Sequence, residues 1–543
     1  MKLKLFLSFL LTAAFALSYA QDEAPKDWFL LDPATSNYPG VGIEKTYEQL
    51  LKDRNSETVI VAVIDSGVDS EHEDLKDVMW INADEIPGNG IDDDKNGYID
   101  DVHGWNFIGG KDGRNISHDA LEITRLAAHY MKKFEGKDVS KLSKKEKKEY
   151  DKFQAIQKKI KEKKEGLMQQ SMGVMMFVEA FNNIKKAVGK DKVTKEDLEN
   201  LKTDDEGLQQ AVSMIQNILG KGATMEDLEG DLNDAADYFE SQIEYYYNTD
   251  FDPRDIVGDD YSNPNERYYG NNDIKGPDAN HGTHVAGIIA AVRDNDLGMS
   301  GIANNVKIMS VRCVPDGDER DKDVANAIRY AVDNGASVIN MSFGKGYAWN
   351  KDVVDKAVRY AMKKDVLLIH AAGNDGKSND TTSNYPNDLF KKKGLFKPKM
   401  AKNWIEVGAL NWKGGENLAA SFSNYGKEKV DIFAPGVAIY STVVGNEYDS
   451  YPGTSMASPM VAGVAAVLRS YFPGLTAQQV KDIIMSSSAK QKMKVKQPGT
   501  KDMVEFSELS VTGGTLDAYQ AVKKAMNTKG KKKIKKKKNV ARP

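Results

Sequence analysis

Three stretches each place a residue able to do acyl-transfer chemistry among unusually small neighbours: Asp65 in "VIDSGVDSEHEDL", His281 in "NHGTHVAGIIAA" and Ser455 in "GTSMASPMVAG". Amide hydrolysis needs a nucleophile, a base that takes its proton, and an acid that orients and stabilises that base. Serine, histidine and aspartate supply these in turn. A fourth group must meet the negative oxygen that develops on the carbonyl. Asn374 in "AAGND" can offer a side-chain N–H there, beside the backbone N–H of Ser455. Ser455 opens an apolar run, "VAGVAAVLRSYF", so its other reading is a helix N-cap. Pro459, four positions later, needs its own explanation.

The elements that would carry these residues are legible from periodicity. "TVIVAVIDSG" (58–67), "VKIMSVRCV" (306–314), "ASVINMSFG" (336–344) and "DVLLIHAAGN" (365–374) read as buried parallel strands. Helical patterns fall between them at 322–335 and 353–364. The alternation predicts a three-layer, doubly wound, mostly parallel α/β sheet, whose site lies at the carboxyl ends of the strands. Asp65, Ser342 and Asn374 fall at such ends.

Taken together, the segments around Asp65, His281, Asn374 and Ser455, in that order, resemble the subtilisin-like serine peptidases, over roughly residues 40–113 and 251–526. The resemblance implies a triad of Asp65, His281 and Ser455 with Asn374 as oxyanion donor. It implies that Ser342, Phe343 and Gly344 pair with extended substrate, and that the strand bearing Gly373 walls a neighbouring pocket. It also implies a cis Tyr385–Pro386 peptide. His284 and His370 read as structural, and Cys313 as a buried inert thiol.

A second signal is "GIDDDKNGYIDD" (90–101). Asp92, Asp94 and Asn96 alternate, Gly97 stands at the sixth loop position, and His103 occupies the twelfth, where a calcium loop carries glutamate. Asp100 or Asp101 would have to complete the shell. The resemblance separately implies a calcium ligand at Asp74, with 292–299 as its partner loop. The expected cofactor is structural Ca²⁺, with no organic cofactor.

Residues 1–20 read as a secretory signal peptide: Lys2 and Lys4 precede an apolar run that ends in small residues. The single cysteine, Cys313, leaves no internal disulfide and no thiol for lipidation at the cleavage site. Export without a lipid anchor or a spanning helix is expected, to the periplasm, cell surface or medium. The net charge is −5, but eleven Lys or Arg and no acid lie in 523–543, which leaves −16 on residues 1–522. An acidic body argues against nucleic acid. The basic tail (527–543) suits an anionic envelope surface. Residues 21–57 form an N-terminal segment, and 58–113 with 251–526 the sheet domain. Residues 114–250, rich in Lys and Glu, read as an all-helical insertion: a partner-docking element, a lid over the cleft, or a tolerated excursion. A protein or peptide substrate is the leading expectation. The rival is a non-catalytic scaffold whose insertion binds partners.

Overall fold

The computed structural model describes residues 23–219, 224–391 and 399–532. The expected signal peptide and the tail beyond 532 lie outside them. The described chain divides into two compact units: Ile123–Asp252, and Ala24–Glu122 with the chain from Pro253 onward.

The larger unit is built on a nine-stranded sheet. In chain order the strands are β1 (Val59–Asp65), β2 (Gly104–Asn106), β3 (Val306–Arg312), β4 (Val338–Met341), β5 (Leu367–Ala371), β6 (Trp404–Leu410) and β7 (Ile432–Pro435). There follow β8 (Ile439–Val443), β9 (Glu447–Tyr451), β10 (Ala489–Lys490), β11 (Lys494–Lys496), β12 (Met503–Glu505) and β13 (Gly514–Thr515). The sheet runs β10-β13-β7-β6-β5-β4-β1-β3-β2, while β8 pairs with β9 and β11 with β12 separately. All pairings in the large sheet are parallel except β10 with β13.

β1 lies between β3, with β2 beyond it, and β4, beyond which β5, β6 and β7 follow in order, so the direction of the crossovers changes at β1, where α/β sheets open a crevice. Strand pleating divides the core. Val61 and Val63 of β1 face the layer that holds helices Asn280–Ala290, Thr454–Tyr471 and Ala518–Met526. Ala62 and Ile64 face the opposite layer, with helices Asp321–Asp333 and Lys351–Lys363. This is the expected doubly wound arrangement, and it puts His281 and Ser455 on one face of the sheet. The four anticipated strands are present as slightly shorter segments. The sequence reading did not anticipate β2, β6, β7, β10 or β13. β6 is fully buried yet contains Glu406, a charge that hid its strand character until its partners, His370 and Trp404, were placed.

In the smaller unit the described residues are helical, with no strand among them. Its longest helix, Lys144–Val188, starts at a capping box in which Ser143 and Glu146 satisfy each other's end of the first turn. Thr194 with Asp197 and Thr224 with Asp227 do the same for two later helices. Phe181, Ile184, Leu198, Val212, Ile215 and Leu219 form its core. The two ends of this unit meet: the Thr124 hydroxyl donates to the Tyr246 carbonyl at 2.7 Å. Residues 114–122 belong to the larger unit, where Ile116 packs in the core.

Close approach of the Ser455 helix to its surroundings rests on small residues. A Cβ on Gly463 would stand 2.6 Å from the Ile302 Cβ. Gly463→Ala gains about 1 kcal/mol of helix propensity but overpacks a rigid contact at a cost of about 1–3 kcal/mol. Thermal denaturation should therefore show a lowered Tm.

Candidate active site

Asp65 closes β1 and is 1% exposed. Its Oδ1 accepts the Ser66 N–H at 2.8 Å and meets His281 Nδ1 at 2.6 Å. The imidazole therefore donates from Nδ1, which leaves Nε2 able to accept a proton. His281 is the second residue of the Asn280–Ala290 helix, and glycine lets that helix come so near. A Cβ on Gly282 would lie 2.0 Å from the Gly67 carbonyl oxygen and 3.1 Å from the Asp65 Cβ. On the outer side, Ser441 and Thr442 of β8 donate their hydroxyls to the His284 and Thr283 carbonyls, each at 2.8 Å, pinning the helix from behind.

Ser455 is not a cap. Gly453 is the N-cap, at φ 155 and ψ 158, a region open essentially only to glycine, and Ser455 is the second helical residue. Pro459 has no N–H to give the carbonyl four residues earlier, so the Ser455 oxygen lacks its helical donor. The Ser342 hydroxyl takes that place at 2.8 Å, itself held by Asn340 Nδ2 at 2.9 Å and Ser458 Oγ at 2.8 Å. In return the Ser455 hydroxyl donates to the Ser342 carbonyl at 3.0 Å. Ser342 is thus buried and turned to the helix, while Phe343 is half-buried and Gly344 exposed. No hydrogen bond joins Ser455 to His281 among the described residues, so the hydroxyl must redirect before it can give its proton to the imidazole.

Asn374 lies three residues beyond β5. Its Oδ1 accepts both the N–H and the hydroxyl of Thr454, each at 2.9 Å, which commits the amide oxygen and turns Nδ2 the other way. The position a Cβ would take on Gly453 is 3.5 Å from Ser455 N and 3.6 Å from Asn374 Nδ2. Two N–H donors, one of them a first-turn amide of a helix, flank one small space. Gly344 and Gly373 keep the neighbouring walls thin. A Cβ on Gly344 would meet Asn384 Oδ1 at 2.4 Å, and one on Gly373, at φ +102, would meet Asn424 Nδ2 at 2.5 Å. The Tyr385–Pro386 peptide behind them is cis.

The other histidines have structural partners. His284 Nε2 donates to the Asp449 carbonyl at 3.1 Å, its ring stacks on Tyr451 at 4.5 Å, and burial drives its pKa down to about 3. His370 Nδ1 pairs with Glu406 Oε2 at 3.0 Å. Cys313 is fully buried, which raises its thiol far from reactivity.

In the acidic loop, Glu85, Asp92 and Asp94 offer ligand oxygens within 4.8 Å of one another, the one such carboxylate trio among the described residues. Asn96 lies beside them, its amide donating to Asp94 at 2.9 Å and Asp101 at 3.1 Å. Asp100 and Asp101 are not members of that trio. Asp100 accepts the Asn89 and Gly90 N–H groups, and Asp101 accepts the Tyr330 hydroxyl at 2.6 Å and the Asn82 amide at 2.9 Å. Burial lifts the Asp101 carboxyl to about 6. At Asp74 the carboxylate accepts the Asn295 amide at 2.8 Å, and Arg293 points away to Glu44 at 2.7 Å. The sequence reading missed Glu85, because one glutamate in "ADEIPG" carries no spacing signal. It also missed Thr454, which reads only as another small residue beside the serine.

A family model described as Peptidase_S8, the subtilase family, matches residues 56–504. A thermophilic serine proteinase of Bacillus sp. (strain AK1) is 45% identical over 192 residues, covering 35% of this chain and 43% of its own. Subtilisin E of Bacillus subtilis (strain 168) is 39% identical over 213 residues, covering 39% of this chain and 51% of its own. The chain thus spans about half the length of the curated relatives it matches. The solved structure of the prenylagaramide maturation protease PagA aligns at a TM-score of 0.37 and 29% identity, over 45% of this chain and 82% of that one.

Burial pulls the His281 pKa down, but the charge and hydrogen bond of Asp65 outweigh it, and the net position is above the ordinary 6.5. An NMR titration should place the His281 ring above 6.5. In Asp65→Asn burial acts without the opposing charge, so the ring should titrate below 6.5. The stabilising contribution of the raised pKa is complete below the unfolded value and is lost as pH climbs through the folded one. The Tm advantage of wild type over Asp65→Asn should accordingly shrink with rising pH.

Proposed function

The chain belongs to the subtilase family, and on that premise we propose that it is an exported, calcium-stabilised serine endopeptidase. Its catalytic body would be residues 58–113 and 251–526, interrupted by the helical insertion. The observation that carries this reading is the 2.6 Å Asp65–His281 pair on the same sheet face as the helix start that holds Ser455. Ser455 Oγ attacks the peptide carbonyl carbon while His281 Nε2 takes its proton. Asp65 fixes the tautomer and offsets the imidazolium charge. The carbonyl oxygen, now negative, is held by the Ser455 N–H and Asn374 Nδ2. Collapse of the tetrahedral intermediate breaks the C–N bond, and His281 returns the proton to the leaving amine. Water then repeats the sequence on the acyl-serine, with His281 again the base.

The carboxylates of Glu85, Asp92 and Asp94 suit a hard cation that takes oxygen ligands. At such separations each like-charged pair repels by about 1 kcal/mol in a water-like dielectric, and Ca²⁺ would reverse the sign. The ion would lend rigidity to the loop ahead of β2 and take no part in the chemistry. The N-terminal apolar segment supports export, and no helix among the described residues is long and apolar enough to cross a membrane. A peptide substrate follows from the chemistry. The basic tail suits an anionic surface, and the insertion remains a place for partners to dock.

Incubation with a fluorophosphonate probe should label Ser455, and Ser455→Ala should lose both label and hydrolysis with its Tm retained. Asn374→Ala should lower kcat by about 10²–10³ with KM little changed. A protein that takes no label would favour the scaffold reading.

A chelator should lower the Tm, with calcium but not magnesium restoring it. In Glu85→Gln with Asp92→Asn most of that calcium response should vanish. A response that survives intact would move the ion to Asp74.

A further inference from the structure

One end of the Phe343–Gly344 segment is fastened by the Ser342–Ser455 exchange. Its other end is fastened by Lys345, whose side chain is only 1% exposed. The Lys345 ammonium donates to the Glu319 carbonyl at 2.5 Å and lies 3.0 Å from the Asp321 carboxylate and 3.5 Å from Glu122. Its backbone exchanges two 2.9 Å hydrogen bonds with Tyr385, beside the cis proline. Between the two fastenings, the backbone groups of Phe343 and Gly344 make no hydrogen bond among the described residues. They form a short open edge of the kind an extended peptide can extend by pairing.

Burying an ammonium is unfavourable unless it is paired and hydrogen-bonded, so this one is confined to the site where its partners converge. The backbone that carries it is confined with it. Glu122, Glu319 and Asp321 are themselves 0–5% exposed at the side chain, so the anchor is buried as deeply as what it holds. Burial pushes the Glu319 carboxyl up from its ordinary value, against the opposing pull of the Lys345 charge.

We propose that Lys345 is a positioning residue for substrate recognition, holding the Phe343–Gly344 edge extended before a peptide arrives. The proposal rests on the endopeptidase reading above. Holding the edge in advance removes an ordering cost that would otherwise be met on binding, so its loss falls on affinity. Only substrates long enough to lie along the edge should feel it.

The test compares a tetrapeptide p-nitroanilide with a single-residue ester, which reaches only the scissile-bond region. Lys345→Met should raise KM for the tetrapeptide about 10-fold with kcat within about twofold, and leave ester kinetics unchanged. Lys345→Arg, which keeps the charge, should recover most of the loss. Asp321→Asn, which weakens the anchor without emptying it, should give the same split at smaller size and decides the matter alone if Lys345→Met does not fold. Equal losses on both substrates, or an unchanged tetrapeptide KM, would overturn the proposal. If wild type takes no fluorophosphonate label, the peptidase reading itself fails. Labelled protein without the KM split strikes only the role of Lys345.

Discussion

A carbonyl in the first turn of a helix that has lost its amide partner needs another donor. Pro459 creates such a carbonyl at Ser455, and Ser342 is the group that answers it. The consequence reaches beyond one hydrogen bond. Ser342 follows directly after β4, so meeting this need fixes the end of a sheet strand against the start of the helix that carries Ser455. The segment that continues from Ser342 is the edge proposed to pair with substrate. A local deficit made by proline thereby sets the register between the attacking oxygen and the backbone beside which a peptide would lie.

Around that junction, the sheet and the two helices on one face do complementary work. β1 delivers Asp65 at the point where strand order reverses, and Gly67 and Gly282 let the histidine helix close on it. β5 delivers Asn374, whose amide is oriented by Thr454, the residue just before the nucleophile. The proposed base and oxyanion donor are thus each fixed by a neighbour buried in the framework. Such fixed donors stabilise developing charge without reorganising at the moment of reaction.

Much of this was legible in the sequence because its signals are local. Continuous β-branched runs marked β1, β3, β4 and β5. Asp65, His281, Asn374 and Ser455 stood out because their neighbours are small. What escaped was set by distant partners. β6 carries Glu406, intelligible only once His370 and Trp404 lie beside it. Glu85 joins Asp92 and Asp94 through chain folding, not spacing. Asp100 and Asp101 follow the alternating Asp92, Asp94 and Asn96 in the chain, and their carboxylates accept the Gly90 N–H and the Tyr330 hydroxyl. The role of Pro459 is invisible without Ser342, 117 positions earlier.

The meeting of Thr124 with Tyr246 bears on the entropy of assembling the site. Asp65 and His281 are 216 positions apart, and removing the 130 residues of Ile123–Asp252 from that interval leaves 86. Closing the longer interval as open chain would cost about 0.8 kcal/mol more than closing the shorter one, since the cost grows only with the logarithm of length. The helical unit has locally encoded helix starts and ends that meet, so once folded it counts as a short link in the loop. A quarter of the chain can then lie between Asp65 and His281 without widening the search that brings them together.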